Sequence, residues 1–136
     1  MFESQHTVRV RYAETDQMGY VYYGNYASYY EVARTEMLRT TGYSYKELEE
    51  LGVMMPVLEM KCKYIKPARY DDLLTIKTQV RIKPSIRIVF HYEIFNEEGQ
   101  LLNIGETTLV FVDMVKNKPC LPPPAFMKKL EPYFPA

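Results

Sequence analysis

Asn25-Tyr26-Ala27-Ser28-Tyr29-Tyr30-Glu31-Val32-Ala33-Arg34-Thr35-Glu36-Met37-Leu38-Arg39-Thr40 is the stretch on which the fold turns. Tyr26, Tyr29 or Tyr30, Ala33 and Met37 recur at helical spacing, and Arg34, Glu36 and Arg39 take the polar positions. The pattern predicts a helix of about four turns over Asn25–Thr40. Gly42, after Thr41, is its natural stop. Ser44 is placed to cap a short helical turn over Lys46–Leu51.

Upstream the period changes to two. Val8, Val10 and Tyr12 alternate with Arg9 and Arg11, which predicts a first strand with one buried face. A polar loop, Ala13–Gly24, joins it to the helix. Downstream, Leu58–Tyr64, Leu74–Lys83 and Ile86–Ile94 alternate as strands, while Leu101–Asp113 is apolar on more of its surface and reads as a central strand. Pro67–Asp72, Lys83–Ser85 and Asn96–Gln100 are turns, and the last two favour antiparallel hairpins. The proline-rich tail from Lys116 is expected to form neither a helix nor a central strand, with at most one turn at Met127–Leu130.

Strand, long helix, then four strands is an α+β order. It predicts a five-stranded antiparallel sheet packed on one helix, in a single domain over residues 1–136. One helix covers such a sheet incompletely, so a homo-oligomer is expected, with strands continuing across the interface.

Composition narrows the function. Lys and Arg number 17, Asp and Glu also 17, with no long run of one sign. That balance argues against a nucleic-acid or anionic-membrane binder and leaves room for a small anionic ligand. Met1–Arg11 has no apolar core for a signal peptide, and no stretch reaches the roughly 20 apolar residues of a membrane span. A cytoplasmic setting is the expectation. Cys62 and Cys120 make neither a zinc pattern nor a disulfide framework and are expected as packed free thiols. His6 and His91 form no metal motif. A serine triad lacks its GxSxG elbow, and no phosphate-binding glycine loop is present.

The loop Tyr12-Ala13-Glu14-Thr15-Asp16-Gln17-Met18-Gly19-Tyr20-Val21-Tyr22-Tyr23-Gly24-Asn25-Tyr26 remains. It sets a carboxylate before a helix start, where unpaired N–H groups can stabilise an oxyanion. A carboxylate opposite can attack a carbonyl carbon or activate a water. On the residues alone, Asp16 reads first as a turn residue bonding its own backbone, and second as this carboxylate.

The loop, followed by Glu31-Val32-Ala33-Arg34, resembles the hotdog-fold acyl-CoA thioesterases, near the 4-hydroxybenzoyl-CoA thioesterases and the Tol-Pal-associated thioesterases. Tyr64-Ile65-Lys66-Pro67-Ala68-Arg69-Tyr70-Asp71-Asp72-Leu73 is similar to that family's link between its second and third strands. The resemblance implies a curved sheet wrapped around the helix, no metal or prosthetic group, and a homodimer or homotetramer with sites at subunit interfaces. It implies Asp16 as nucleophile or general base and the Tyr23 N–H as the oxyanion donor. Gly19, Val21 and Tyr26 would meet substrate, with aromatic lining from Tyr20, Tyr22, Tyr26 and Tyr29. Lys66, Arg69, Lys83 and Arg87 are candidates for the anionic CoA, and Ser85 for its pantetheine or phosphate. Many members carry histidine where Tyr23 stands; a backbone donor survives either choice. Another hotdog branch uses a carboxylate on the central helix, here Glu31, but Glu31 and Arg34 at i,i+3 read as an ion pair. An acyl-carrier-protein thioesterase and a non-catalytic acyl-binding module are the rival expectations.

Overall fold

A computed structural model describes residues 1–135. In chain order the elements are β1 (Phe2–Arg9), α1 (Tyr26–Arg39), α2 (Tyr45–Glu50), β2 (Val53–Met54), β3 (Val57–Tyr64), β4 (Leu73–Val80), β5 (Arg87–Phe95), β6 (Leu101–Val110), β7 (Val112–Asp113), β8 (Lys118–Pro119) and α3 (Pro124–Leu130). Short 3-10 turns cover Tyr12–Glu14, Tyr23–Asn25 and Glu131–Tyr133.

The main sheet runs β1-β4-β5-β6-β3, every neighbouring pair antiparallel. Its inner face comes from strict alternation. Leu74, Ile76 and Val80 on β4 and Ile88, Phe90, Tyr92 and Ile94 on β5 are buried, and α1 answers with Tyr26, Tyr29, Tyr30, Ala33, Met37 and Leu38. Burying each large side chain contributes about 1.5–3 kcal/mol. The helix and the antiparallel five-stranded sheet are therefore as the periodicities predict.

Local readings need correction. Tyr12 does not share the buried strand face: β1 starts at Phe2 and ends at Arg9, and Tyr12 is 77% exposed in the following turn. Ile82 is also outside its strand, which ends at Val80. The run Leu101–Asp113 is broken at Phe111. Its first part is an interior strand, and its last two residues enter a small separate sheet, β2-β7-β8. The tail does form a helix. Pro124 sits at its first position, where the missing N–H costs nothing, and Phe126 and Leu130 are buried. Ser44 caps α2 by accepting the Glu47 N–H at 3.2 Å, as its position suggests.

Arg34 was expected on a polar position beside Glu31. It is buried instead, donating from Nε to the Tyr45 hydroxyl at 2.8 Å, and no Glu31–Arg34 ion pair forms among the described residues. β3, the edge strand, is exposed on both faces, including Leu58, Met60 and Tyr64. Cys62 and Cys120 are free, half-buried thiols.

Candidate active site

The loop between β1 and α1 is built by its own backbone. Asp16 N–H donates to the Tyr20 carbonyl at 2.8 Å, and Gly19 N–H to the Asp16 carbonyl at 3.0 Å. Gly19 holds a φ of +81°, a left-handed conformation that glycine adopts without strain. Thr15 and Val21 bridge across this turn, and Tyr20 bridges to Arg69. Val21 N–H donates to the Ala68 carbonyl at 2.8 Å, which ties the loop to the link after β3.

The turn reading of Asp16 holds. Its Oδ1 accepts the N–H groups of Met18 at 3.0 Å and Tyr20 at 3.3 Å, so it is a turn residue. Among the described residues, Oδ2 has no hydrogen-bond partner. The turn therefore orients the carboxylate through Oδ1 alone.

A cavity of about 280 Å³ is lined by Asp16, Met18, Tyr20, Val21, Tyr23, Tyr26, Tyr64, Ile65, Lys66 and Pro67. Asp16, Val21, Tyr23, Tyr26 and Lys66 thus meet, with Gly19 in the adjoining turn. Tyr23 starts the 3-10 turn leading into α1, and among the described residues its N–H has no acceptor. Arg69 stands beside the cavity, its guanidinium 5.0 Å from the Tyr20 ring centroid.

Lys83, Ser85 and Arg87 lie elsewhere. Tyr64 at the cavity pairs with Asn103, which pairs with Ile94, whereas Arg87 pairs with Val110 beyond the other end of β3. Seven residues along β5 put Arg87 ~23 Å from the cavity end of the sheet. Two expected aromatic walls are absent: Tyr22 packs its ring on Tyr23 at 4.6 Å, and Tyr29 is in the core.

Two residues escaped the sequence reading. Tyr64 supplies the wall opposite the loop, with its ring 5.3 Å from that of Tyr26 and its hydroxyl donating to the Tyr23 carbonyl at 3.3 Å. Burial and a hydrogen bond to Cys62 push its hydroxyl up to about 12. The strand alternation marked Tyr64 as a terminal inner residue, but nothing in one dimension brought it to Tyr26. Glu14 is the second. Its Oε1 accepts Arg11 N–H at 2.8 Å and the Tyr29 hydroxyl at 3.1 Å, and its carbonyl accepts Tyr22 N–H at 2.9 Å and Asn25 Nδ2 at 2.8 Å. One acidic residue thereby pins the loop to the helix.

Residues 10–130 match the family model of the thioesterase-like superfamily. The chain belongs to that superfamily. The thioesterase-like match takes in Asp16, all of α1 and Tyr64. The acyl-CoA thioester hydrolase YbgC of Escherichia coli O6:H1 is 43% identical over 112 residues, covering 82% of this chain and 84% of that protein. The DHNA-CoA thioesterase of Staphylococcus aureus is 38% identical with a TM-score of 0.84, covering 99% of this chain and 85% of that one. A 4-hydroxybenzoyl-CoA thioesterase solved with 4-hydroxybenzoyl-CoA is 19% identical with a TM-score of 0.84, covering 96% and 100%, and speaks to the fold. This thioesterase-like chain is a thioester hydrolase with the hotdog fold. Among the described residues, no three His, Cys, Asp or Glu side chains are grouped to hold a metal, and no helix is long and apolar enough to cross a membrane.

Proposed function

We propose that this acyl-CoA thioesterase hydrolyses a short-chain or aromatic acyl-CoA to the free acid and CoA, with Asp16 as its working carboxylate. One observation carries the reading: Asp16, oriented through Oδ1 alone, and Tyr23, with an unpaired N–H, line the same cavity. The thioester carbonyl oxygen accepts the Tyr23 N–H, where the start of the helix also favours negative charge. Asp16 Oδ2 then attacks the carbonyl carbon, or takes a proton from a water that attacks it. In either route the C–S bond breaks and CoA leaves as its thiolate. Attack by water gives the free acid directly, and the proton held by Asp16 passes to the thiolate or to solvent; attack by Asp16 gives an acyl–aspartyl anhydride, which a water then hydrolyses to the free acid and the Asp16 carboxylate. The cavity is small and mostly apolar, with four tyrosines in its lining, which suits a short or single-ring acyl group.

The working unit is a homo-oligomer. β3 is an unpaired edge with exposed apolar side chains, which is the arrangement that pairs with another strand. Two β3 edges paired antiparallel about a two-fold axis bring the Val57 end of one sheet to the Tyr64 end of the other. Arg87 lies at the Val57 end, so the partner's Lys83, Ser85 and Arg87 approach the cavity from about three strand spacings of ~4.8 Å away. There they can meet the CoA phosphates while Lys66 and Arg69 hold the near side.

Asp16→Asn is the direct test. The amide oxygen still accepts the Met18 and Tyr20 N–H groups, so the turn and fold persist. Turnover should fall about 10²- to 10⁴-fold. Hydrolysis at the parental rate by the purified variant sinks the assignment. Rates on matched acyl-CoA and acyl-carrier-protein substrates decide the carrier.

A further inference from the structure

Beyond the Tyr26–Tyr64 wall of the cavity, α1 meets the sheet through a buried ring. Tyr30 follows Tyr26 by one helical turn, ~5.4 Å deeper along α1. It is fully buried and stacks on Tyr92, centroids 4.3 Å apart and planes 11° apart. Its other side rests on β6 at Gly105. A Cβ there would overlap the ring's Cζ and hydroxyl, so only glycine leaves the ring its seat. The hydroxyl bonds the Asn103 Oδ1 and lies 3.2 Å from the Cys62 Sγ, while Asn103 Nδ2 donates to the same sulfur at 3.2 Å.

The geometry points to Tyr30 as the stop that sets the length of the acyl group. The inference rests on the thioesterase reading of the cavity in front of it. Cys62 is two residues from Tyr64 on the same face of β3, so the Tyr30–Cys62–Asn103 group stands directly behind the Tyr26–Tyr64 wall. An acyl chain long enough to spread the Tyr26 and Tyr64 rings meets this group next. The group offers the chain nothing in return, because its hydroxyl, thiol and amide already bond one another. Burial, then the hydrogen bond to Cys62, hold the Tyr30 hydroxyl well above the usual tyrosine range, as expected of a neutral structural group. Moving the ring aside would break these bonds and the Tyr92 stack together, so the stop is rigid. Tyr30 touches no reacting atom; its role is specificity.

S-alkyl-CoA thioethers, which cannot be hydrolysed, read the cavity's length by binding alone. Calorimetric titration with ethyl through dodecyl thioethers should show affinity rising about fourfold per added methylene, then ceasing to rise after the short members. In Tyr30→Leu the rise should continue for two further methylenes, a gain of roughly 15-fold. Tyr30→Phe keeps the ring and should keep the parental break point. Tyr30→Met serves if the leucine variant does not fold, and circular dichroism checks each. An unbroken rise through dodecyl in the parent overturns the stop. So does a folded leucine or methionine variant that breaks at the parental length. Acyl-CoA turnover by the same proteins separates the two ideas. Thioether binding without any turnover defeats the catalytic reading and leaves the stop standing, turnover with an unbroken series defeats the stop alone, and absence of binding defeats both.

Discussion

Replacing Glu14 by alanine should loosen the loop that carries Asp16, and the cost can be worked from its bonds. The carboxylate accepts the Arg11 N–H and the Tyr29 hydroxyl. Each hydrogen bond to a charged group is worth about 1.5–3 kcal/mol, and the Tyr29 hydroxyl, on a residue only 1% exposed, loses its partner. The Arg11–Glu14 ion pair at 3.3 Å adds little, because the Arg11 side chain is 77% exposed. The expected loss is ~3 kcal/mol, read as a lower urea midpoint at unchanged slope. Glu14→Gln keeps an oxygen for both donors and should cost less than half of that. Because Asp16 is two residues away, turnover of Glu14→Ala should fall at least about tenfold, given the price of small misplacements in an active site. A stability within ~0.5 kcal/mol of the parent would refute the anchor. A glutamine variant as damaged as the alanine one would show that charge, and not hydrogen bonding, carries the effect.

Gly105→Ala should destabilise by about 1–3 kcal/mol or more through overpacking against Tyr30, measured by urea unfolding; a neutral result would contradict the close approach of ring and strand. Burial pushes Tyr92 up to about 12 and raises Tyr30 as well. Unfolded tyrosines ionise near 10, so above that pH the native state holds protons that the unfolded state has released. Stability should be full below pH 10 and then fall by up to ~1.4 kcal/mol per pH unit for each such tyrosine. Urea midpoints that stay flat from pH 8 to 11.5 would count against it. Met60→Lys on the exposed face of β3 should shift the protein toward monomer in light scattering and depress turnover with it; an oligomer with parental activity would rule out pairing through that edge.

Short-range periodicity made much of this molecule legible in one dimension. A period near 3.6 marked α1 within one residue at each end, and period-two alternation marked β4 and β5, because such elements bury one face and the sequence must repeat with it. Alternation also placed β3, although that edge strand is exposed on both faces, but it caught only the last two residues of β1, and β6 was read from its apolar run. Asp16, Gly19 and the helix start were visible for a similar reason, since a turn and a helix entry use neighbouring residues. Composition could not show that Tyr12 faces water or that Arg34 does not, because exposure at an element's end or flank is decided by what packs there. It could not show that a proline-rich tail still closes as a helix, because Pro124 happens to fall where no N–H is needed. Nor could it bring Tyr64 to Tyr26, make Glu14 the anchor of the loop, or lay Tyr30 on Gly105 across 75 residues of chain. Those contacts depend on the order in which strands pair, a long-range property. The turn at Asp16 and the helix entry of the candidate site lay along the chain; its walls and its support exist only where the sheet folds over the helix.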